Sequence, residues 1–376
     1  MMQPTAIAMS GGVDSTMAAY LIKKQGRPVV GMHFITGYED DIPHEHEAER
    51  KDTGRGRAQK PDLLVEKARK RMAPISERLG IPLEIYDIQT EFENSVIEYF
   101  AATYKAGQTP NPCMVCNPAI KFGILLTAAR ELGAGHLATG HYANVVKDQD
   151  GIFHLLRGKD LQKEQSYFLA RLSQKQLASA KFPLGDMTKP DVKQLAASIG
   201  IFPYIKQESQ DICFIKNRTY GDFLTDRFGL SPTPGPIVDL KGNLLGEHKG
   251  LHLFTIGQRR GINCPAVEPY YVVRLDTEKN RLIVGHKQDL LTSECMVKDI
   301  SWITEPPKSA LSVKTRVRYR HRETPSKLIP VNEKEAVVEF DHPQEAVTPG
   351  QCAVFYQGDV VMGGGWIQPI EKNAEI

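Results

Sequence analysis

The hexapeptide Ser10-Gly11-Gly12-Val13-Asp14-Ser15 constrains this chain more than any other feature. It sits between a short apolar run, Thr5 to Met9, and a helical pattern, Thr16 to Gln25, that stops at Gly26. A strand that turns through two glycines into a helix leaves bare backbone N–H groups facing outward, and the helix N-terminus adds positive potential. Such a turn receives an anion. Ser10 and Ser15 add hydroxyl donors, while Asp14 makes sense there only if a cation such as Mg²⁺ bridges it to phosphates. The chain has neither the Lys-bearing G-x-x-x-x-G-K-[ST] loop nor G-x-G-x-x-G.

Downstream, strand and helix signals alternate. Pro28 to Phe34 and Ile81 to Ile88 read as strands, and His136 to His141 as a further strand end. Val65, Ala68, Met72, Ile75 and Leu79 keep helical spacing around a Pro74 that should kink the helix. Phe92 to Tyr104 and Ile120 to Leu132 predict two more helices. This alternation means a doubly wound, mostly parallel α/β sheet. After about Arg218 the texture changes to dense Gly and Pro with short strands. Lys241-Gly242-Asn243 marks one hairpin, and Tyr271 to Leu275 with Leu282 to Gly285 another. The reading is an α/β domain over 1–217, a central β-rich domain over 218–287 and a C-terminal β-barrel over 288–376. Gly37 to Lys60 stands apart as a charged stretch with almost nothing apolar, read as a surface loop. His33, His44 and His46 fall in or near it without the spacing of an established metal site.

The formal net charge of +2 argues neither for nor against a nucleic-acid partner. With no apolar run near the roughly 20 residues a bilayer requires, and no basic-then-apolar leader at the start, a cytoplasmic, non-membrane protein is expected. The six cysteines then do not suggest a disulfide framework. Cys113 and Cys116 form a C-x-x-C between prolines, which should keep helix from forming before Asn117. Such a pair can be redox-active, hold a metal or carry sulfur. Cys213 is the third reactive candidate, whereas Cys264, Cys295 and Cys352 sit singly in the β half as ordinary small residues.

Ser10 to Ser15 matches the S-G-G-x-D-S signature of the ATP pyrophosphatase (PP-loop) superfamily, whose fold is adenine nucleotide alpha hydrolase-like. Its members cleave ATP between the α and β phosphates and transfer AMP to an acceptor oxygen. In an open sheet the site lies beyond the strand C-termini. Phe34 is then an adenine contact, Gly140 a point of close backbone approach, and His141 a group facing the acceptor.

Further motifs make the resemblance specific: Thr109 to Phe122, Ala138 to Tyr142, Lys163 to Leu169, Cys213 to Ile215, Thr255 to Gly261 and Thr348 to Gln351. Through them the chain resembles the tRNA-specific 2-thiouridylase family over nearly its whole length. The resemblance implies an α/β PP-loop domain followed by two small β-barrel-like domains, and an enzyme that uses ATP and Mg²⁺ to thiolate the wobble uridine of tRNA. It implies Cys116 as the nucleophile and Cys213 as the persulfide carrier. Ala8, Met9, Ser10, Gly11, Gly12, Val13, Asp14, Ser15, Phe34 and Gly140 fall at ATP-binding positions. Asn111, Pro112 and Cys113 align with the strip beside the target base. His141, Lys163, Glu164, Gln165, Arg318, Tyr319 and Gln351 align with tRNA contacts. One branch of the family has an aspartate where this chain has Cys113, so no carboxylate role transfers. Cys113, Cys116 and Cys213 also suit a 4Fe–4S cluster with one open iron, leaving cluster and persulfide relay as alternatives. The sulfur would come from a partner such as a cysteine desulfurase or a sulfur-relay protein.

Lys314 to Arg322 is the clearest basic run. On a strand, Arg316, Arg318, Arg320 and Arg322 would share one face and suit RNA phosphates. Two rival functions are an amide-forming PP-loop ligase and a tRNA-binding protein that senses ATP without chemistry.

Overall fold

The computed structural model describes residues 3–39, 61–201 and 212–369. The charged stretch beyond Glu39, with His44 and His46, and residues 209–211 just ahead of Cys213 lie outside that set. The chain forms two compact units. One comprises Met1–Ser95, Cys116–Ser166 and Gln174–Arg218; the other comprises Val96–Val115, Tyr167–Ser173 and Thr219–Ile376.

The first unit is built on a parallel sheet of β1 (Thr5–Ala8), β2 (Val29–Ile35), β3 (Leu83–Asp87), β4 (His136–Ala138) and a short strand at Ala180–Lys181. Its spatial order is β3-β2-β1-β4 followed by that short strand. Every pairing is parallel. Strands buried on both faces read as unbroken apolar runs rather than alternating ones, and Thr5–Ala8 is buried throughout. Helices α1 (Val13–Lys24) and α2 (Pro61–Leu79) help close the layers. Met17, Ile22, Met72, Ile75 and Leu79 pack with Ile7, Met9 and Ala138 in one core. The doubly wound α/β class expected above is the observed one. The chain leaves β1 for β2 and β3 on one side and for β4 on the other. The crevice between β1 and β4 is therefore the switch point where an open α/β sheet binds its ligand.

The C-x-x-C segment departs from expectation. Helix begins at Pro112, not Ile120, and runs from Pro112–Cys116 into a π-helical stretch, Asn117–Leu125, and on through Leu126–Glu131. Pro112 is tolerated because the N–H it lacks would have had no intrahelical acceptor in the first turn. Pro118, which would break an α-helix, is absorbed where the turn widens. The run Pro112–Glu131 is also long and apolar enough to cross a bilayer, with a mean hydropathy of 1.3, which corrects the expectation that no segment approaches that length. Ile120, Phe122, Leu125 and Leu126 on it are core residues, and that burial accounts for its composition.

The second unit carries two β assemblies. Gly235–Val238, Leu244–His248, Tyr271–Asp276 and Arg281–Gly285 form a four-stranded sheet around Ile237, Val272, Leu282 and Val284. The strands from Leu291–Trp302 to Val360–Ile367 close into an antiparallel barrel through pairing of the first with the last. Val297, Leu328, Val338 and Phe355 fill it. The basic row does not form. The strand Leu311–Arg316 ends at Arg316, and Val317, buried in the barrel core, starts a turn. Val313, Thr315 and Val317 keep one buried face, but the strand stops before Arg318, Arg320 and Arg322 can share the other.

Candidate active site

The loop after β1 is organised by its own residues. Gly11 takes a φ of +83°, which a glycine adopts without strain. The Ser15 hydroxyl accepts from the Ser10 N–H at 3.2 Å and donates to the Gly12 carbonyl at 3.1 Å. The Thr16 hydroxyl donates to that same carbonyl at 2.9 Å. These bonds tie up the carbonyl and leave the start of α1 as a concave, donor-rich end.

Asp14 is not left facing the anion alone. Lys189 Nζ donates to both of its carboxylate oxygens at 2.7 Å, and the Tyr142 hydroxyl donates to Oδ1 at 2.8 Å. The Lys189 side chain is 7% exposed and that of Asp14 33%. Sequence reasoning missed both partners. A signal existed for Lys189: it opens the helix Lys189–Ser198, where a cation opposes the dipole and needs an anionic partner. Lys189 also lines a cavity of 330 Å³ with Asp160, Gln162, Lys163, Pro190 and Lys193. Beside the Lys189–Asp14 pair, this lining offers Lys163 and Lys193 against Asp160.

On the other side of the crevice, Gly140 is used by the protein itself. A Cβ there would lie 2.7 Å from the Asp14 carbonyl carbon and the Ser15 nitrogen, so bare backbone lets the β4 loop press against the anion loop. His141 is buried, with Nδ1 2.7 Å from the Thr139 hydroxyl and Nε2 3.4 Å from Lys121 Nζ. An ammonium only donates, so Nε2 accepts and Nδ1 carries the proton. Burial, and then the Lys121 charge, push the imidazole well below its ordinary pKa. His33 follows the same logic. It lies between the Met9 carbonyl at 2.7 Å and Arg71 Nη2 at 3.2 Å, and burial lowers its pKa. Phe34 is half-buried at the end of β2. Of Lys163 to Gln165, Lys163 lines the cavity. Buried Glu164 accepts from the Ser166 N–H at 3.1 Å, and Gln165 exchanges bonds with the Tyr142 backbone.

Cys116 is half-buried where the helix widens, and Cys213 is exposed in a turn closed by an Ile215 N–H to Ile212 carbonyl bond of 3.0 Å. Phe214 is 3% exposed and sits edge-on to Tyr38 and Phe92, each at 5.9 Å between ring centroids. Tyr38 follows β2 and Phe92 follows β3, so the Cys213 turn docks on the sheet edge that also carries the anion loop. Among the described residues no group of three or more His, Cys, Asp or Glu side chains is arranged to hold a metal. Cys113, Cys116 and Cys213 thus form no such group among the described residues. Mg²⁺ is a different case, since it retains water and takes one or two carboxylates plus substrate phosphates. Asp14 suits that.

Within the second unit, the strip before the helix is braced. Gln351 Nε2 donates to the Thr109 and Pro110 carbonyls at 3.1 and 3.0 Å, and the Asn111 N–H donates to the Tyr99 hydroxyl at 3.2 Å. Burial pushes that Tyr99 hydroxyl up to about 12. Pro112 is buried and Cys113 exposed. Arg316 lies over the rings of Tyr167 and Tyr319, and Tyr319 packs on Phe168 at 4.3 Å. Arg318 reaches His321 at 2.6 Å. The structure thus replaces the expected row of cations with an aromatic–cation cluster.

A switch-point cradle of the S-G-G-x-D-S type on a doubly wound sheet defines an ATP-using protein of the PP-loop class. The family profile described as tRNA methyl transferase HUP domain matches residues 3–217. The tRNA methyl transferase PRC-barrel domain matches 221–286, and the aminomethyltransferase beta-barrel domain 292–367. The tRNA-specific 2-thiouridylase MnmA of Desulfosudis oleivorans is 47% identical over 363 residues, covering 96% of this chain and 94% of its own. Those of Geobacter metallireducens and Moorella thermoacetica are each 43% identical. They cover 96% and 97% of this chain, and 95% and 99% of their own. The chain belongs to the tRNA-specific 2-thiouridylase family, and that membership favours neither the amide-forming ligase nor the non-catalytic ATP sensor.

Proposed function

We propose that this chain is an ATP-dependent tRNA-uridine 2-sulfurtransferase acting in the cytoplasm. The 2-carbonyl oxygen of the wobble uridine attacks the α phosphate of ATP; pyrophosphate leaves and the base is adenylated. The terminal sulfur of a Cys213 persulfide attacks C2, and AMP departs with the former carbonyl oxygen. The Cys116 thiolate then attacks the Cys213 sulfur. The persulfide S–S bond breaks, 2-thiouridine is released, and the resulting Cys116–Cys213 disulfide is reduced by an external thiol. A protein partner, a cysteine desulfurase or sulfur-relay protein, reloads Cys213.

In this reading Ala8 to Ser15, Phe34 and Gly140 receive the nucleotide. Lys189 holds the Asp14 carboxylate in place against the charge of the phosphates, and Asp14 would hold Mg²⁺, which supplies charge neutralisation there. Lys163 and His141, with Arg318, Tyr319 and Gln351 of the other unit, serve the tRNA, while Glu164 and Gln165 order the loop that carries Lys163. Asn111 to Cys113 flank the target base. Residues 1–217 are the catalytic domain, 218–287 the central β domain and 288–376 the tRNA-binding barrel.

Family membership carries the activity. The relay is preferred to a cluster on Cys113, Cys116 and Cys213 because no metal-holding donor group occurs among the described residues. The test is 2-thiouridine formation on a tRNA with a wobble uridine, followed by nucleoside mass spectrometry, beside anaerobic iron and sulfide analysis. Product formed by iron-free protein and lost in Cys213→Ser is expected. Stoichiometric iron that disappears in Cys113→Ala would replace the relay with the cluster.

A further inference from the structure

The catalytic scheme needs an exposed cysteine to be delivered repeatedly to one carbon atom, yet Cys213 sits in a four-residue turn that a surface loop could place anywhere. The neighbouring residue resolves this. Phe214 is buried while Cys213 is exposed, so adjacent side chains of the turn point in opposite senses, one into the protein and one to solvent. The Phe214 ring meets Tyr38 at 61° and Phe92 at 75°, the edge-to-face arrangement that aromatic quadrupoles favour. Tyr38 and Phe92 also touch each other at 6.1 Å, which makes a three-ring socket.

The socket is itself fixed. The Tyr38 hydroxyl donates to Glu93 at 2.7 Å. The Glu39 carboxylate accepts from the Thr36 hydroxyl at 2.7 Å and the Gly37 N–H at 3.1 Å. Lys216 on the cysteine segment donates to the Glu39 carbonyl. The socket belongs to the segments leaving β2 and β3, and adjacent strands are about 4.8 Å apart. It therefore stands one to two strand spacings along the sheet edge from the anion loop that follows β1.

We propose that Phe214 is the positioning residue of the sulfur-transfer step: a plug in the Tyr38–Phe92 socket that fixes where Cys213 is presented relative to the nucleotide crevice. This rests on the reading of Cys213 as the sulfur carrier. The Phe214 ring is taken up by Tyr38 and Phe92 inside the protein, so its loss should leave adenylation in place and slow only the delivery of sulfur.

The test uses the full chain in single turnover, with Mg-ATP, a tRNA bearing a wobble uridine, and inorganic polysulfide as the sulfur source. Phe214→Ala is expected to slow thiolation about 100-fold at saturating ATP and tRNA, the cost of a displacement on the order of 1 Å. Pyrophosphate release stays near the wild-type rate and adenylated tRNA accumulates. Phe214→Leu, which keeps most of the buried volume, recovers most of the rate. Wild-type thiolation in Phe214→Ala overturns the proposal. So does an equal fall in both half-reactions that Phe214→Leu does not relieve, which would mark a residue needed only for folding. Cys213→Ser separates the two failures. Thiolation that survives in it removes the carrier role itself, whereas thiolation lost there but intact in Phe214→Ala removes only the anchor.

Discussion

The anion loop and the Cys213 turn sit on one sheet edge and are built in opposite ways. In the loop, Ser10, Gly12, Ser15 and Thr16 bond to one another, and Asp14 is closed in by Lys189 and Tyr142. At the turn, Cys213 is exposed while its neighbour Phe214 is buried. Binding a triphosphate rewards donors fixed before the ligand arrives, whereas a sulfur carrier must be reached by a donor and then reach a base. The first region is closed in by its own bonds, and the second is held from one side with its reactive atom open.

The largest effects should separate the regions cleanly. Cys213→Ser is expected to lower thiolation by at least about 10⁴-fold, as loss of a nucleophile does, with tRNA-dependent pyrophosphate release retained in the first turnover. Loss of both together would mean the two regions are not separable. Lys189→Ala should do the converse. It strips the partner from a partly buried carboxylate and should lower kcat/KM for ATP by about 10² to 10³-fold. The stability cost is about 2 kcal/mol, below the roughly 3–5 kcal/mol of a fully buried pair because Asp14 is one-third exposed. Urea midpoints read this, and Asp14→Asn combined with Lys189→Met should recover stability but not activity.

Gly140→Ala probes the contact between the two loops. With backbone 2.7 Å from the new methyl group, the anion loop must shift, at a cost of about 1 to 3 kcal/mol. KM for ATP should rise while persulfide loading of Cys213, followed by gel-shift alkylation, stays unchanged.

The smallest effect is on acid stability. Burial lowers the pKa of His33 and His141 below the ordinary 6.5. Below that value the unfolded chain takes up protons that the folded one refuses. Their contribution is therefore full above pH 6.5 and is lost as pH falls, with a slope of up to about 1.4 kcal/mol per pH unit for each histidine. Urea unfolding between pH 7.5 and 5.5 should show this slope, and His141→Gln should flatten it by one histidine's share. The barrel of the second unit, which holds neither residue, should not respond to that variant.

Much of this was legible because the deciding interactions are local. Thr5 to Met9, the two glycines and the start of α1 lie within about one strand and one turn of each other, so spacing alone indicated an anion cradle. Ala68, Met72, Ile75 and Leu79 fell on the buried face that their period requires. Prolines misled the reading at Cys113 to Cys116. The rule that proline bars helix holds for an α turn, but a first turn and a π-widened turn escape it. The supposed arginine row failed because alternation gives faces only while the strand lasts, and this one stops at Arg316.

From the sequence alone come the parallel sheet, the anion loop, the family resemblance and the identity of the three cysteines in question. Each depends on residue type and short-range order. Only the tertiary structure supplied Lys189 and Tyr142 around Asp14, Gln351 beneath the Thr109–Pro110 strip, and Phe214 in its aromatic socket. Those partners are separated by 175, 128, 242 and 176 positions, respectively. A pairing over such a distance leaves no periodicity to read. The pairings of Asp14 and Phe214 exist because the folded sheet brings strand ends to one edge, where a buried charge or ring must find whatever partner the fold has placed beside it.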